Sequence, residues 1–140
     1  PHLKSYQKLI RKLKQLTDRS WSISLDNRIK KINYLIRGWI NYFRIANMKS
    51  KIVEIDEHLR TRIRVIIWKQ WKKISKRQKA LEQLGIETKL AHNIACSRKG
   101  YQVICKTDWL KFAINIERLR KRGLVFLLDQ YTKVHIECTN

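Results

Sequence analysis

Apolar residues recur at three- and four-residue steps along almost the whole chain, and only one proline and four glycines interrupt them. An α-helix turns once every 3.6 residues, so this spacing gathers apolar side chains on one stripe and polar ones opposite. The chain therefore reads as all-α. A first helix lines up Leu3, Tyr6, Leu9, Ile10, Leu13 and Leu16, turns Lys4, Lys8, Arg11 and Lys12 away, and ends near Thr17. A second begins after Ser24, whose hydroxyl suits an N-cap, and carries Leu25, Ile29, Ile32, Ile36, Trp39 and Phe43 inward. A third runs from about Ser50 to Lys73, with Ile52, Ile55, Leu59, Ile63 and Ile66 on one side. Its last third, Val65-Ile66-Ile67-Trp68, is apolar nearly all round and should lie between two layers.

Past Ile74 or Ser75 the pattern shortens, and Gly85, Gly100 and Gly123 stand where short helices would end. The expected organisation is a three-helix bundle over residues 1–73, followed by a second small bundle of short helices over residues 74–140. Charge shifts at the same place. Lys and Arg number 19 against 5 Asp and Glu up to residue 73, and 13 against 6 beyond it.

With 140 residues and 44% hydrophobic content the chain can bury a core, so its charge does not signal disorder. A net charge of +21 makes a compact monomer repel itself unless a polyanion neutralises it. RNA, DNA and an anionic membrane surface are the candidates. No apolar run approaches the roughly 18 residues of a membrane span, and no signal-peptide core opens the chain, which points to a soluble intracellular protein. A chain that starts at Pro1 suggests a piece of a longer protein, or one trimmed from a tag. Cys96, Cys105 and Cys138 are odd in number and form no Cys-x-x-Cys pair, so reduced, buried thiols are expected, not disulfides or zinc.

No catalytic constellation stands out. The chain has no glycine-rich phosphate loop, no His-x-x-x-His pair and no Ser-His-Asp set, and His2, His58, His92 and His135 are dispersed. His58 reads as solvated or capping, and Asp56 as the partner of Arg60 in an i,i+4 ion pair. Nucleic-acid binding has more support, because basic residues interleave with amides and aromatics. On the second helix Lys30, Asn33, Arg37, Asn41 and Arg44 stand three or four apart and form one polar strip. On the third, Arg60 and Arg64 share a face, as do Arg62, Lys69 and Lys73. Such cations would neutralise phosphates, while Asn33 and Asn41 could bond sugars or base edges. Trp39, Phe43, Trp68, Trp71 and Trp109 fall at helical spacing with Ile and Leu and read as core, with Tyr42 left open. Gly38, inside a helix, reads as a packing device where another backbone comes close.

The string Ser24-Leu25, Ile32-Asn33, Arg37-Gly38-Trp39, Asn41-Tyr42-Phe43 resembles the maturase-specific region, domain X, of group II intron reverse transcriptases. The resemblance continues through Ile55-Asp56, Arg60-Thr61-Arg62-Ile63-Arg64 and Trp68-Lys69-Gln70-Trp71-Lys72. Beyond it, Leu84-Gly85-Ile86, Ser97-Arg98-Lys99-Gly100-Tyr101, Gly123-Leu124-Val125 and Leu127-Leu128 are similar to the extension that follows domain X in bacterial members. The chain departs from that pattern at Gln102, where a second aromatic is expected, and at Phe126, where a small Ser is usual.

The resemblance implies a thumb plus extension that binds intron RNA, promotes splicing and helps grip template-primer duplex during reverse transcription and intron mobility. It implies no catalytic residue, metal site or cofactor in this segment, the Mg belonging to the fingers-palm polymerase of a parent chain, whose Tyr-Ala-Asp-Asp tetrad is absent here. The implied setting is the bacterial cytoplasm, with no membrane partner. The expected RNA contacts are Lys30, Arg37, Asn41, Arg44, Arg60, Arg64, Lys69, Lys72 and Lys73, with Arg98 and Lys99 as a second basic point. Gly38, Trp39, Phe43, Trp68 and Trp71 are the expected structural knot. A DNA-binding helical module is the alternative from another class, and a basic piece docked on an acidic protein or membrane surface is a third reading.

Overall fold

The computed structural model describes residues 2–139, and the side chains of residues 2–136. Among the described residues the chain is all helical, with no strand. Three long helices come first: α1 (Leu3–Leu16), α2 (Leu25–Tyr42) and α3 (Lys49–Gln70). Six shorter ones follow: α4 (Ile74–Gln83), α5 (Thr88–Ala95), α6 (Tyr101–Cys105), α7 (Asp108–Ala113), α8 (Ile116–Lys121) and α9 (Leu127–Thr139).

Local chemistry sets most of these ends. Ser24 Oγ accepts from the Asn27 amide at 3.2 Å and opens α2, and Thr17 Oγ1 donates to the Leu13 carbonyl at 2.6 Å and closes α1. Glu87, Thr107 and Asn115 cap α5, α7 and α8 in the same way as Ser24 caps α2. After α4 and α8 the chain turns through Gly85 (φ 101°) and Gly123 (φ 104°). Each turn carries the six-to-one amide bond of a glycine-terminated helix, Ile86 to Leu81 at 3.0 Å and Leu124 to Leu119 at 3.1 Å. Gly100 differs from its expected role. It caps the start of α6 with φ −59°, so its backbone requires no glycine.

The expected inward stripes of α2 and α3 are buried, and α3 is covered on more than one side. Ile32, Ile36, Ile52 and Ile63 have no exposure, and Val65, Ile66 and Trp68 are buried together at the end of α3. α6 and α9 pack against α3, α9 also packs against α2, and α4 pairs with α5. One continuous hydrophobic core thus crosses residue 73, joining Leu81, Ile104, Leu110, Leu119 and Leu127 to the residues of α1–α3. α4 and α5 cover each other, while α6 and α9 bury their apolar sides against α3.

Several expectations meet a different environment. Leu3 is 62% exposed in the first turn of α1, and Trp109 is 50% exposed on α7, so neither belongs to the core. Phe126 is buried with the Arg60 and Arg120 guanidinium groups over its ring at 5.6 and 5.7 Å, so the larger side chain becomes core. Cys105 is buried, and desolvation pushes its thiol up to about 12 against the pull of Arg64 and Arg77. Cys96 is exposed, contrary to the expectation for the cysteines, with its sulfur 3.5 Å from His92 Nε2, whose Nδ1 stands 2.9 Å from Gln78 Oε1. The Cys138 side chain lies outside the described residues.

Candidate nucleic-acid interface

Positive charge is spread over both halves of the molecule, and hydrogen bonding decides which of it can meet a ligand. Arg28 sits on the inward stripe of α2 at 2% exposure. Its guanidinium donates to the carbonyls of Leu16 at 2.8 Å, Asp18 at 2.7 Å and Trp21. It fastens the α1–α2 connection at the carbonyl-rich end of α1, where a cation is favoured. Sequence reasoning missed this residue, although a charge between Leu25 and Ile32 on an apolar stripe is the signal for it.

α3 spends its arginines in the same way. Arg62 donates from Nε to Thr17 Oγ1 at 2.7 Å and from Nη2 to the Lys14 carbonyl at 3.2 Å. Arg64, expected on the RNA face, is 4% exposed and donates from Nε to the Ile114 carbonyl at 2.8 Å. Burial, then the neighbouring Arg60, lowers its guanidinium below the ordinary value. Its role is to join α3 to the end of α7, out of reach of a phosphate. Arg60 is half-buried over Phe126, and Lys69 is half-buried with Nζ donating to the Arg19 carbonyl at 2.8 Å. Arg77 and Arg118, also unforeseen, reach the carbonyls of Trp68 at 3.3 Å and Ala113 at 2.6 Å. A guanidinium suits these places because its planar fork can serve more than one acceptor, as Arg28 does with three carbonyls and Arg118 with those of Leu84 and Ala113.

Asp56 does not make the expected ion pair with Arg60. Its carboxylate is buried and accepts the amides of Leu127 at 2.7 Å and Leu128 at 2.9 Å, capping α9 from 71 residues away. Desolvation raises it to about 6, and the two amides and the Arg60 charge only partly oppose that rise. Asn33 is likewise committed, donating to the Gly123 carbonyl at 2.7 Å and accepting from the Val125 amide at 2.8 Å. It holds the α8–α9 turn, which takes its side chain away from the role of reading a base edge.

What stays in solvent is the outer face of α2. Lys30, Arg37 and Asn41 are exposed there, and the Tyr34 ring, 85% exposed, stands between Lys30 and Arg37, while Arg44, expected on the same strip, lies exposed in the turn beyond the end of α2. Asn41 accepts a long bond, 3.4 Å, from Gln130 Nε2. Lys30, Asn33, Tyr34, Arg37 and Gly38 line one open hollow. Gly38 is exposed with nothing within 4 Å of where a Cβ would sit, so it is no packing device. The missing side chain deepens the hollow instead. Beneath this face Trp39 and Phe43 do pack, with ring centroids 4.7 Å apart and Tyr6 5.5 Å from Trp39. Tyr42 is 81% exposed and meets Phe43 edge-on at 4.8 Å. Trp68 and the half-buried Trp71 lie 6.1 Å apart. Lys72, Lys73, Arg98 and Lys99 are exposed at connections between helices.

Among the described residues no three His, Cys, Asp or Glu side chains cluster as a metal site would require, and no helix is long and apolar enough to cross a membrane. Comparison with curated proteins gives no match. The family described as "Group II intron, maturase-specific domain" matches residues 6–85, from the first turn of α1 to the glycine that ends α4. That domain is the maturase part of such proteins and not a polymerase active site. With more than half of its residues matched, the chain belongs to the group II intron maturase-specific family.

Proposed function

We propose that this maturase-specific domain serves group II intron splicing by binding the intron RNA, with the outer face of α2 as its principal contact. The observation that carries the reading is the fate of the cations. Arg28, Arg62 and Arg64 are tied to backbone carbonyls, whereas Lys30 and Arg37 flank an exposed tyrosine over an open hollow. Flexible cations beside an exposed ring suit phosphate neutralisation together with stacking of an unpaired base. Arg44, Lys72, Lys73, Arg98 and Lys99 extend the basic surface. Contacts of this kind hold an RNA in a fold and carry little sequence information. In a parent chain with a fingers-palm polymerase and its Mg, the same surface would help seat template and primer.

Replacing Lys30 and Arg37 together by Ala tests this reading. Anisotropy of a labelled group II intron RNA fragment should show weaker binding, and the slope of log affinity against log salt should flatten by about 0.7–0.9 per lost phosphate contact. Unchanged affinity and slope, or better binding of duplex DNA of equal length at physiological salt, sinks the proposal.

A further inference from the structure

A cleft on a different side of the molecule has no role in the contacts of the α2 face. It lies between α1, α3 and α6 and encloses about 260 Å³. Its floor is apolar, with Ile10, Leu13, Ile55 and Leu59 contributing. Lys14, Lys51, Arg62 and Lys106 stand around it, and among the described residues that line it only Glu54, 3.9 Å from Lys51 Nζ, is acidic. His58 and Gln102 supply exposed polar groups that both donate and accept. Arg62 and Gln102 also line an adjoining hollow beside Thr17, Asp18 and Arg19, so the cleft opens into a longer groove.

We infer that this cleft holds a single unstacked nucleobase of a bound RNA, with its flanking phosphates at the lysines. The class of occupant follows from the lining. An apolar floor excludes a bare phosphate as the best fit, and a cationic rim disfavours a neutral apolar ligand. A base is flat and apolar on its faces, polar at its edge and attached to anions. Ligand clefts generally span roughly 300–1,000 Å³, so this volume, just below that range, suits one base and not a longer stack. Gln102, exposed at the rim, puts an amide at the base edge. Arg62, held by Thr17 Oγ1 and the Lys14 carbonyl, is a fixed part of the wall.

The inference rests on the RNA-binding reading above, and its test separates the two. A short oligouridylate and an abasic ribose-phosphate oligomer of equal length and charge are titrated by anisotropy against the whole chain carrying Tyr34→Ala, which removes the base stacking proposed for the α2 face. Oligouridylate should bind about tenfold more tightly, since seating one base is worth about 1–3 kcal/mol. Gln102→Trp, which fills the cleft from an exposed position, should bring the two affinities within about twofold. His58→Ala should shrink the preference as well and decides the matter if the tryptophan variant fails to fold by circular dichroism. Loss of Lys30 and Arg37 should weaken both oligomers alike. A base preference that survives both cleft variants overturns the inference and leaves RNA binding standing; failure of oligouridylate to bind the unaltered chain overturns both.

Discussion

α2 carries four basic residues and α3 six at similar helical spacing, and, the buried Arg28 of α2 aside, the two helices use their arginines differently. α2 leaves Lys30 and Arg37 in solvent beside an exposed tyrosine, while α3 turns Arg62 and Arg64 onto carbonyls of other segments. The difference lies in what surrounds each helix. α3 is covered by α6 and α9, so a cation on its flank is desolvated and must find acceptors, whereas the outer face of α2 stays open to water. Basic residues in this chain are therefore two populations, connectors and free cations, and the net charge of +21 does not tell them apart.

The comparison breaks most severely if a connector is removed. Arg28→Ala takes a donor from three carbonyls, of which those of Asp18 and Trp21 each keep a backbone amide, and leaves a gap in the α2 stripe. It should cost about 2–3 kcal/mol of unfolding free energy in urea titrations. A change below about 1 kcal/mol would show that solvent satisfies those carbonyls and that the connector class is not real.

A pH-dependent effect sharpens the same contrast through Asp56. Its folded-state value of about 6 lies above the ordinary 3.8 of an unfolded aspartate, so the folded chain binds this proton more tightly. Stability must then rise as pH falls through about 6 and level off below about 4, by about 3 kcal/mol at most. General charge repulsion also grows on acidification, so the difference between the protein and Asp56→Asn is the useful quantity. Measured in urea at pH 7, 5.5 and 4.5, the unaltered chain should gain on the variant at each step. A constant difference would mean that the α9 amides hold the carboxylate ionised.

The smallest effect concerns the open face. Gly38 lies in helical backbone with free space around it, so Gly38→Ala should stabilise the fold by about 0.5–1 kcal/mol in thermal melts. Because the added methyl intrudes on the hollow, RNA affinity should fall slightly at the same time. A destabilised Gly38→Ala would restore the packing role that its place inside a helix suggests.

Much of the fold is legible in the sequence. The Ser24 cap, the end of α1 at Thr17 and the buried stripes of α2 and α3 follow from periodicity and capping chemistry, which act within one or two turns. The glycine stops at Gly85 and Gly123 are equally local, while Gly100 misleads because a glycine can begin a helix as well as end one. The candidate site is legible only in part. Lys30, Arg37 and Asn41 are exposed on α2 and Arg44 in the turn after it, but Arg64 and Asn33, with the same local appearance, are committed elsewhere. Arg64 finds its acceptor 50 residues on, and Asn33 finds its partners 90 and 92 residues on.

By itself, then, the sequence determined a helical, strongly basic chain of the maturase-specific family, because helix period, caps and motif strings are properties of neighbouring residues. Only the tertiary structure decided which cations are free, that Asp56 caps α9, and that a cleft opens beside Gln102. Those outcomes depend on burial and on hydrogen-bond partners brought from far along the chain, and no local pattern encodes where such partners will lie.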